Sequence, residues 1–192
     1  VALMNIIGFD ATTLGNREFD SGQEGLAKLI DMSAFPALCA NVHPASKWNM
    51  HVKPYQIFDC GGLSVGVIGA VALGNLGIPE SHPDKCVDIK FREPLAAIQE
   101  LRWLREKCDV VVLLSHLGYS TDVEFSKELP WVDIIVGGHS HTQLKGGEMH
   151  NGVFITQNTN RLKRATHSTL ILEDGKVVKR MAENIEIRGQ KN

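Results

Sequence analysis

The chain has 192 residues, with 20 Lys and Arg against 22 Asp and Glu for a formal net charge of −2, and 43% of it is hydrophobic. That size and mix fit one globular domain over 1–192 with a packed core. The charge balance argues against a nucleic-acid duplex or a membrane surface as partner, because both need a dense basic face. No apolar run reaches the roughly 18–20 residues that span a bilayer.

The first nine residues are an apolar stretch without an initiator Met, a charged leader or a small-residue cleavage site. The chain therefore reads as starting inside a domain, and localisation is not legible from its start. A helix is predicted over 22–32, with Leu26, Leu29 and Ile30 inward. Strands are predicted over 37–42, 55–59 and 63–70, the last two joined at Cys60-Gly61-Gly62 as a hairpin. Residues 74–92, rich in Gly, Pro and charge, read as a long surface excursion. The clearest helix is expected over 93–107, where Pro94 suits a first turn and Leu95, Ile98, Leu101 and Leu104 recur every three residues.

Strands follow over 110–114, 132–136 and 153–157, and a helix between the first two is expected to start at Thr121, whose spacing to Glu124 is that of a capping box. A terminal strand pair, 168–172 and 176–181, flanks the tight-turn dipeptide Asp174-Gly175. Arg161, Lys163 and Arg164 form a short basic run read as a solvated loop or strand edge. Strands alternating with helices specify an α/β domain with a partly parallel sheet. The four cysteines show no C-x-x-C pairing and read as buried free thiols, although an exported protein could join them in three ways.

Two apolar runs, Val110 to Leu114 and Val132 to Val136, have the pattern of parallel strands buried on both faces, and each ends in histidine. The first delivers Ser115-His116 and the second Gly137-Gly138-His139-Ser140-His141. In open α/β sheets the carboxyl ends of the strands are where ligands and metals bind. Residues two apart in extended backbone point to the same side, about 6–7 Å apart, which suits His139 and His141 for one metal or two neighbouring ones. His43, His51, His82, His150 and His167 have no such context and read as structural.

Gly15-Asn16-Arg17-Glu18-Phe19-Asp20 would by itself be a turn and helix start. Followed in order by SHLG and GGHSHT, it resembles the calcineurin-like metallophosphoesterases, in particular the catalytic domain of bacterial 5'-nucleotidases, including enzymes that also open 2',3'-cyclic phosphodiesters. The likeness covers roughly residues 1–160. It implies a layered α-β-β-α fold and two divalent cations, with Asn16, His116 and His139 on one ion and His141 on the other. It further implies attack of a metal-bound hydroxide on a nucleotide, cyclic nucleotide or other small phosphate ester. Mixed N and O ligation suits Mn, Zn, Fe or Co. Relatives of this kind act in nucleotide catabolism in the periplasm or at the cell surface, which is the expectation for the intact protein.

Two departures stand out. The family has His at the position of Arg17, oriented by the residue corresponding to Asp20; an arginine can grip a phosphate but cannot deliver a proton near neutral pH. The family's Asp-x-His and Gly-Asp motifs occur nowhere in the chain. The fold is therefore expected to be N-terminally incomplete, also without a C-terminal nucleotide-binding domain, and to be completed by an upstream segment or a second chain. Two rival readings stand beside the phosphohydrolase: a catalytically silent interaction domain holding one metal or a phosphate, and a single-zinc hydrolase built on His116, His139 and His141.

Overall fold

The computed structural model describes residues 1–187. Its centre is a six-stranded sheet. Four strands are parallel: β6 (Leu63–Val71), β8 (Val110–His116), β9 (Ile134–Gly137) and β11 (Val153–Gln157). The antiparallel strands β5 (Tyr55–Cys60) and β10 (Glu148–His150) close its two edges. A smaller parallel sheet, β1 (Thr12–Thr13), β2 (Ala37–Leu38) and β4 (Val52–Lys53), lies against it. Helix α2 (Gly22–Asp31) packs on the smaller sheet, joining Leu26 to Leu14, Phe19, Cys39 and Val71 in one core. On the other side, α3 (Pro94–Gln99) and the turns after it bury Ile98 and Leu104 against Ile68, Val111 and Leu113. Helix, sheet, sheet and helix are thus stacked, as the resemblance implied.

Short strands β3 (Val42–Pro44) and β7 (Ile89–Phe91) form a separate antiparallel pair. The terminal ribbon of β12 (Arg164–Glu173) and β13 (Lys176–Glu186) turns at Asp174-Gly175, where both φ angles are positive. The predicted hairpin between β5 and β6 and the strand over 153–157 form as expected. The thiols are free; Cys39, Cys86 and Cys108 are buried and Cys60 is exposed.

Several expectations are corrected. The helix predicted over 93–107 stops at Gln99 and continues as a 3-10 turn over Arg102–Glu106. The reason lies in the spacing itself: Ile98, Leu101 and Leu104 recur at three, the 3-10 period, and their backbones are linked Leu101 to Ile98 and Leu104 to Leu101 by i→i+3 bonds of 2.9 and 3.0 Å. Leu29, expected inward on α2, is 37% exposed. The stretch 37–42 splits into β2 and β3. Helix α4 (Tyr119–Phe125) starts two residues before Thr121, because the Tyr119 amide finds its cap on Ser140 Oγ, 3.0 Å away on another loop, and needs no capping box.

The histidine-bearing strands are not buried on both faces. Val136 is 38% exposed. Beside it runs an open apolar cleft lined by Phe9, Phe58, Val65, Val67, Val112 and Leu114. Helix α1 (Ala2–Ile7) buries no residue, and Leu3, Ile6 and Ile7 are at least 72% exposed. No helix among the described residues is long and apolar enough to cross a membrane.

Candidate metal centre

The centre is assembled from three chain segments at the carboxyl ends of β1, β8 and β9. The first is the GNREFD turn. Residues Asn16–Phe19 form one 3-10 helix, whose three-residue period sends Asn16 and Phe19 inward and Arg17 and Asp20 outward. Phe19 is fully buried and meets Phe91 edge-on, anchoring the turn. Glu18 folds back to accept the Gly15 amide at 2.7 Å. Gly15 permits the close approach of the second segment: a Cβ there would lie 2.6 Å from His116 Cε1.

His116 ends β8, and its Nε2 is 3.0 Å from Asn16 Oδ1. Asn16 Nδ2 donates to the Glu80 carbonyl at 3.3 Å, which fixes the amide so that Oδ1 is the group presented to His116. Burial, then the neighbouring His139 and His141, pushes the His116 pKa down to about 4. The ring is thus neutral at pH 7 and retains a lone pair for ligation.

The third segment is the loop after β9. His139 and His141 do not follow an extended strand as expected: both have positive φ, 69° and 57°, and the Ser140 amide closes a turn on the Gly138 carbonyl at 2.8 Å. Such conformations are strained for a side chain with a Cβ, by about 1–3 kcal/mol each, and need support. Gln157, 1% exposed at the end of β11, provides it. Its Nε2 donates to the Gly138 carbonyl at 2.8 Å, while its Oε1 accepts from Ser140 Oγ at 2.7 Å and the Thr142 amide at 2.6 Å. The turn places the His139 ring 5.1 Å from that of His116. His141 is exposed and lies 3.5 Å from Asn160 Nδ2 through its Nδ1.

Asp122 of α4 supports this end of β8 from below. It is fully buried and accepts from Ser115 Oγ, which itself accepts the Leu117 amide at 3.1 Å. Its second oxygen has no hydrogen-bond partner and faces the Gly137 backbone, where a Cβ would come within 2.6 Å. Burial pushes the Asp122 pKa up to about 7, against the pull of the Ser115 hydroxyl.

Of the sequence-derived site residues, Asn16, His116 and His139 converge, and His141 stands at the rim. Arg17 points to solvent, its side chain 78% exposed and 3.3 Å from Asp20 Oδ2, and Asp20 in turn accepts from Ser81 Oγ at 3.1 Å. His82, His150 and His167 are paired elsewhere, with Asp84, Glu148 and Glu183. Residues 74–92 are more than a surface excursion: they pass over the centre, bringing the Glu80 carboxylate to 3.9 Å from His139 Nε2. The contributions of Glu80, Asp122 and Gln157 had no signal in the sequence, since lone carboxylates and amides on unremarkable elements have no distinguishing pattern.

Among the described residues no group of three or more His, Cys, Asp or Glu side chains is placed to hold a metal ion. What converges is two imidazoles and an amide oxygen. A neutral ring nitrogen beside an oriented amide oxygen is a donor set suited to a borderline divalent metal.

No protein-family model matches the chain. Protein UshA of Yersinia enterocolitica is 36% identical over 152 residues, covering 71% of this chain and 27% of that protein. The NAD 5'-nucleotidase of Haemophilus influenzae is 36% identical over 148 residues, 73% of this chain and 23% of the relative. The crystal structure of a 5'-nucleotidase precursor from Thermus thermophilus superposes with a TM-score of 0.83 and 27% identity over 97% of this chain and 40% of that one. The chain belongs to the 5'-nucleotidase family. The fold agrees: the calcineurin-like phosphoesterase YfkN of Bacillus subtilis superposes over 96% of this chain and 66% of its own with a TM-score of 0.74, at 22% identity. This chain spans about a quarter of the length of the curated relatives it matches.

Proposed function

We propose that this chain forms the metal-ligating part of a phosphate-ester hydrolase acting on nucleotides or cyclic nucleotides. The reading is supported above all by the meeting of Asn16, His116 and His139, drawn from three distant segments of a chain whose relatives include 5'-nucleotidases. In this reading these three residues hold one divalent ion, of Mn, Zn, Fe or Co, and His141 contributes to a second. The metal supplies Lewis acidity toward the phosphate oxygens and the attacking water.

The chain's own residues do the rest. Gln157 and Asp122 hold the two histidine-bearing loops in register. Arg17, exposed on the surface and steadied by Asp20, grips a phosphate oxygen through its guanidinium. The apolar cleft beside Val112 and Leu114 is covered in the working protein by an upstream segment or by exchange with a second copy, and the enzyme works in the periplasm or at the cell surface.

The test is phosphate release from a 5'-nucleotide in the presence of Mn²⁺ or Zn²⁺. Activity is expected, falling at least about 100-fold in His116→Ala. A metal-loaded, folded protein that hydrolyses no phosphate ester overturns the proposal.

A further inference from the structure

The terminal ribbon leaves a strand edge unmatched. Strands β12 and β13 form a two-stranded sheet, and among the described residues no other strand pairs with β13. A two-stranded ribbon is marginally stable in water by itself, and an unpaired edge is a template for a further strand. The ribbon's inner face is pinned to the domain: Arg180 Nε donates to the Asp133 carbonyl at 3.4 Å and Asn184 Nδ2 to the Leu144 carbonyl at 3.0 Å. Its outer face is not. Lys179, Met181, Glu183 and Ile185 alternate with the inward residues and are exposed, as is Ile171 on β12.

One hydrogen bond fixes which backbone groups face outward. The Ile187 amide donates to the Lys163 carbonyl across the ribbon at 3.0 Å, so odd-numbered residues back to Lys179 turn their N–H and C=O groups toward β12. Arg180, Ala182 and Asn184 therefore turn theirs toward the open edge. The bulge opposite Ile171 and Leu172 ends this alternation at Val178.

Along that edge the sequence complements itself. An antiparallel β13 from a second copy, related by a two-fold axis at Met181, sets Lys179 of each copy opposite Glu183 of the other, with the two Met181 side chains between the pairs. Arg180 and Ala182 then exchange N–H···O bonds, and both charged pairs fall at non-hydrogen-bonded positions, where side chains lie closest. His167 Nδ1 already lies 3.2 Å from Glu183 Oε1, so each carboxylate comes to stand between His167 of its own copy and Lys179 of the other. Neighbouring axes lose this match. An axis at Lys179, Arg180 or Glu183 faces like charges, and one at Ala182 sets Lys179 against Ile185 and Glu183 against Met181. Charges on an edge strand ordinarily keep copies apart, whereas these select one register.

We infer that the outer edge of β13 is the contact surface for a second copy of this chain, joining two ribbons into a four-stranded sheet about a two-fold axis at Met181. The inference goes beyond the phosphohydrolase reading and does not depend on it.

Disulfide trapping in the 192-residue chain tests it, with Cys60→Ser removing the exposed thiol. Residues opposed at a non-hydrogen-bonded position have Cα atoms about 4.5 Å apart, within the span of a disulfide. With oxidised glutathione at pH 8, Met181→Cys is expected to form a covalent dimer on non-reducing gels at least about tenfold faster than Ile171→Cys, which lies on the same face but on the strand away from the axis. Adding Lys179→Glu to Met181→Cys should slow trapping about tenfold, and adding Glu183→Lys to that variant should restore it. All the changed side chains are exposed, so the variants should keep the parent's circular dichroism. Equal trapping of Met181→Cys and Ile171→Cys would overturn the inference, because β13 would not meet its own copy at the axis. Fast trapping at Met181 that Lys179→Glu leaves unchanged would overturn it as well, since the charge match would not set the contact.

Discussion

His116 Nε2 lies 3.0 Å from Asn16 Oδ1 although a hundred residues separate them in the chain. The contact depends on Gly15, whose bare Cα faces the imidazole ring, and on the Glu80 carbonyl that holds the Asn16 amide in one orientation. The proposed donor set is therefore held in place by residues outside it.

Gln157 is the sharpest case. Gln157→Leu removes three hydrogen bonds from the turn that carries His139 and His141, leaving the Thr142 amide without its partner and the Gly138 carbonyl with only the Ser140 amide. A loss of about 2–4 kcal/mol in stability is expected by urea denaturation. The same change should weaken Co²⁺ binding about 10–100-fold. Retained affinity in a destabilised variant would show that the strained turn does not need this support.

Arg17 reaches solvent and cannot donate a proton near neutral pH. Replacing it with a titratable imidazole that Asp20 can orient should restore acid–base help, which is typically worth about 10²–10⁴-fold. Arg17→His is thus expected to raise phosphate release from a 5'-nucleotide by about 100-fold. No gain in the variant would mean that Arg17 already performs the step for which the family uses histidine.

Asp122 gives the fold a pH dependence. Its ordinary pKa is 3.8, and in the folded protein burial raises it to about 7. Between those values the folded state holds a proton that the unfolded chain has released, so stability falls as pH rises through the window, by up to about 1.4 kcal/mol per pH unit. Above about pH 7 the loss levels off. Asp122→Asn, which stays neutral throughout, should flatten the slope measured by urea unfolding across this range. An unchanged slope would place the pH dependence elsewhere.

The apolar cleft and the uncovered α1 predict self-association. A polypeptide of residues 1–192 alone is expected to elute above its monomer mass in gel filtration with light scattering. Leu114→Glu, charging the centre of the open face, should shift it toward the monomer. A well-folded monomer of the parent sequence would argue against both forms of completion.

Local sequence determined a good deal of this. The alternation of apolar runs placed the central strands, because parallel strands at the middle of a sheet must be apolar along their length. Asp174-Gly175 and Gly61-Gly62 placed two hairpins, because both residues of each turn take positive φ. The order Gly-Asn, Ser-His, Gly-Gly-His singled out Asn16, His116 and His139, which meet in the fold. Even the three-residue spacing of Ile98, Leu101 and Leu104 held the answer to the broken helix, read there with the wrong period. Only the tertiary structure decided the rest. The start of α4 depends on Ser140, the shape of the His139 turn on Gln157, and the approach of Glu80 on Asn16, and each partner comes from a different part of the chain. Propensity and periodicity register what a residue does to its own neighbours; a hydrogen bond across dozens of residues exists only once packing has brought its two ends together.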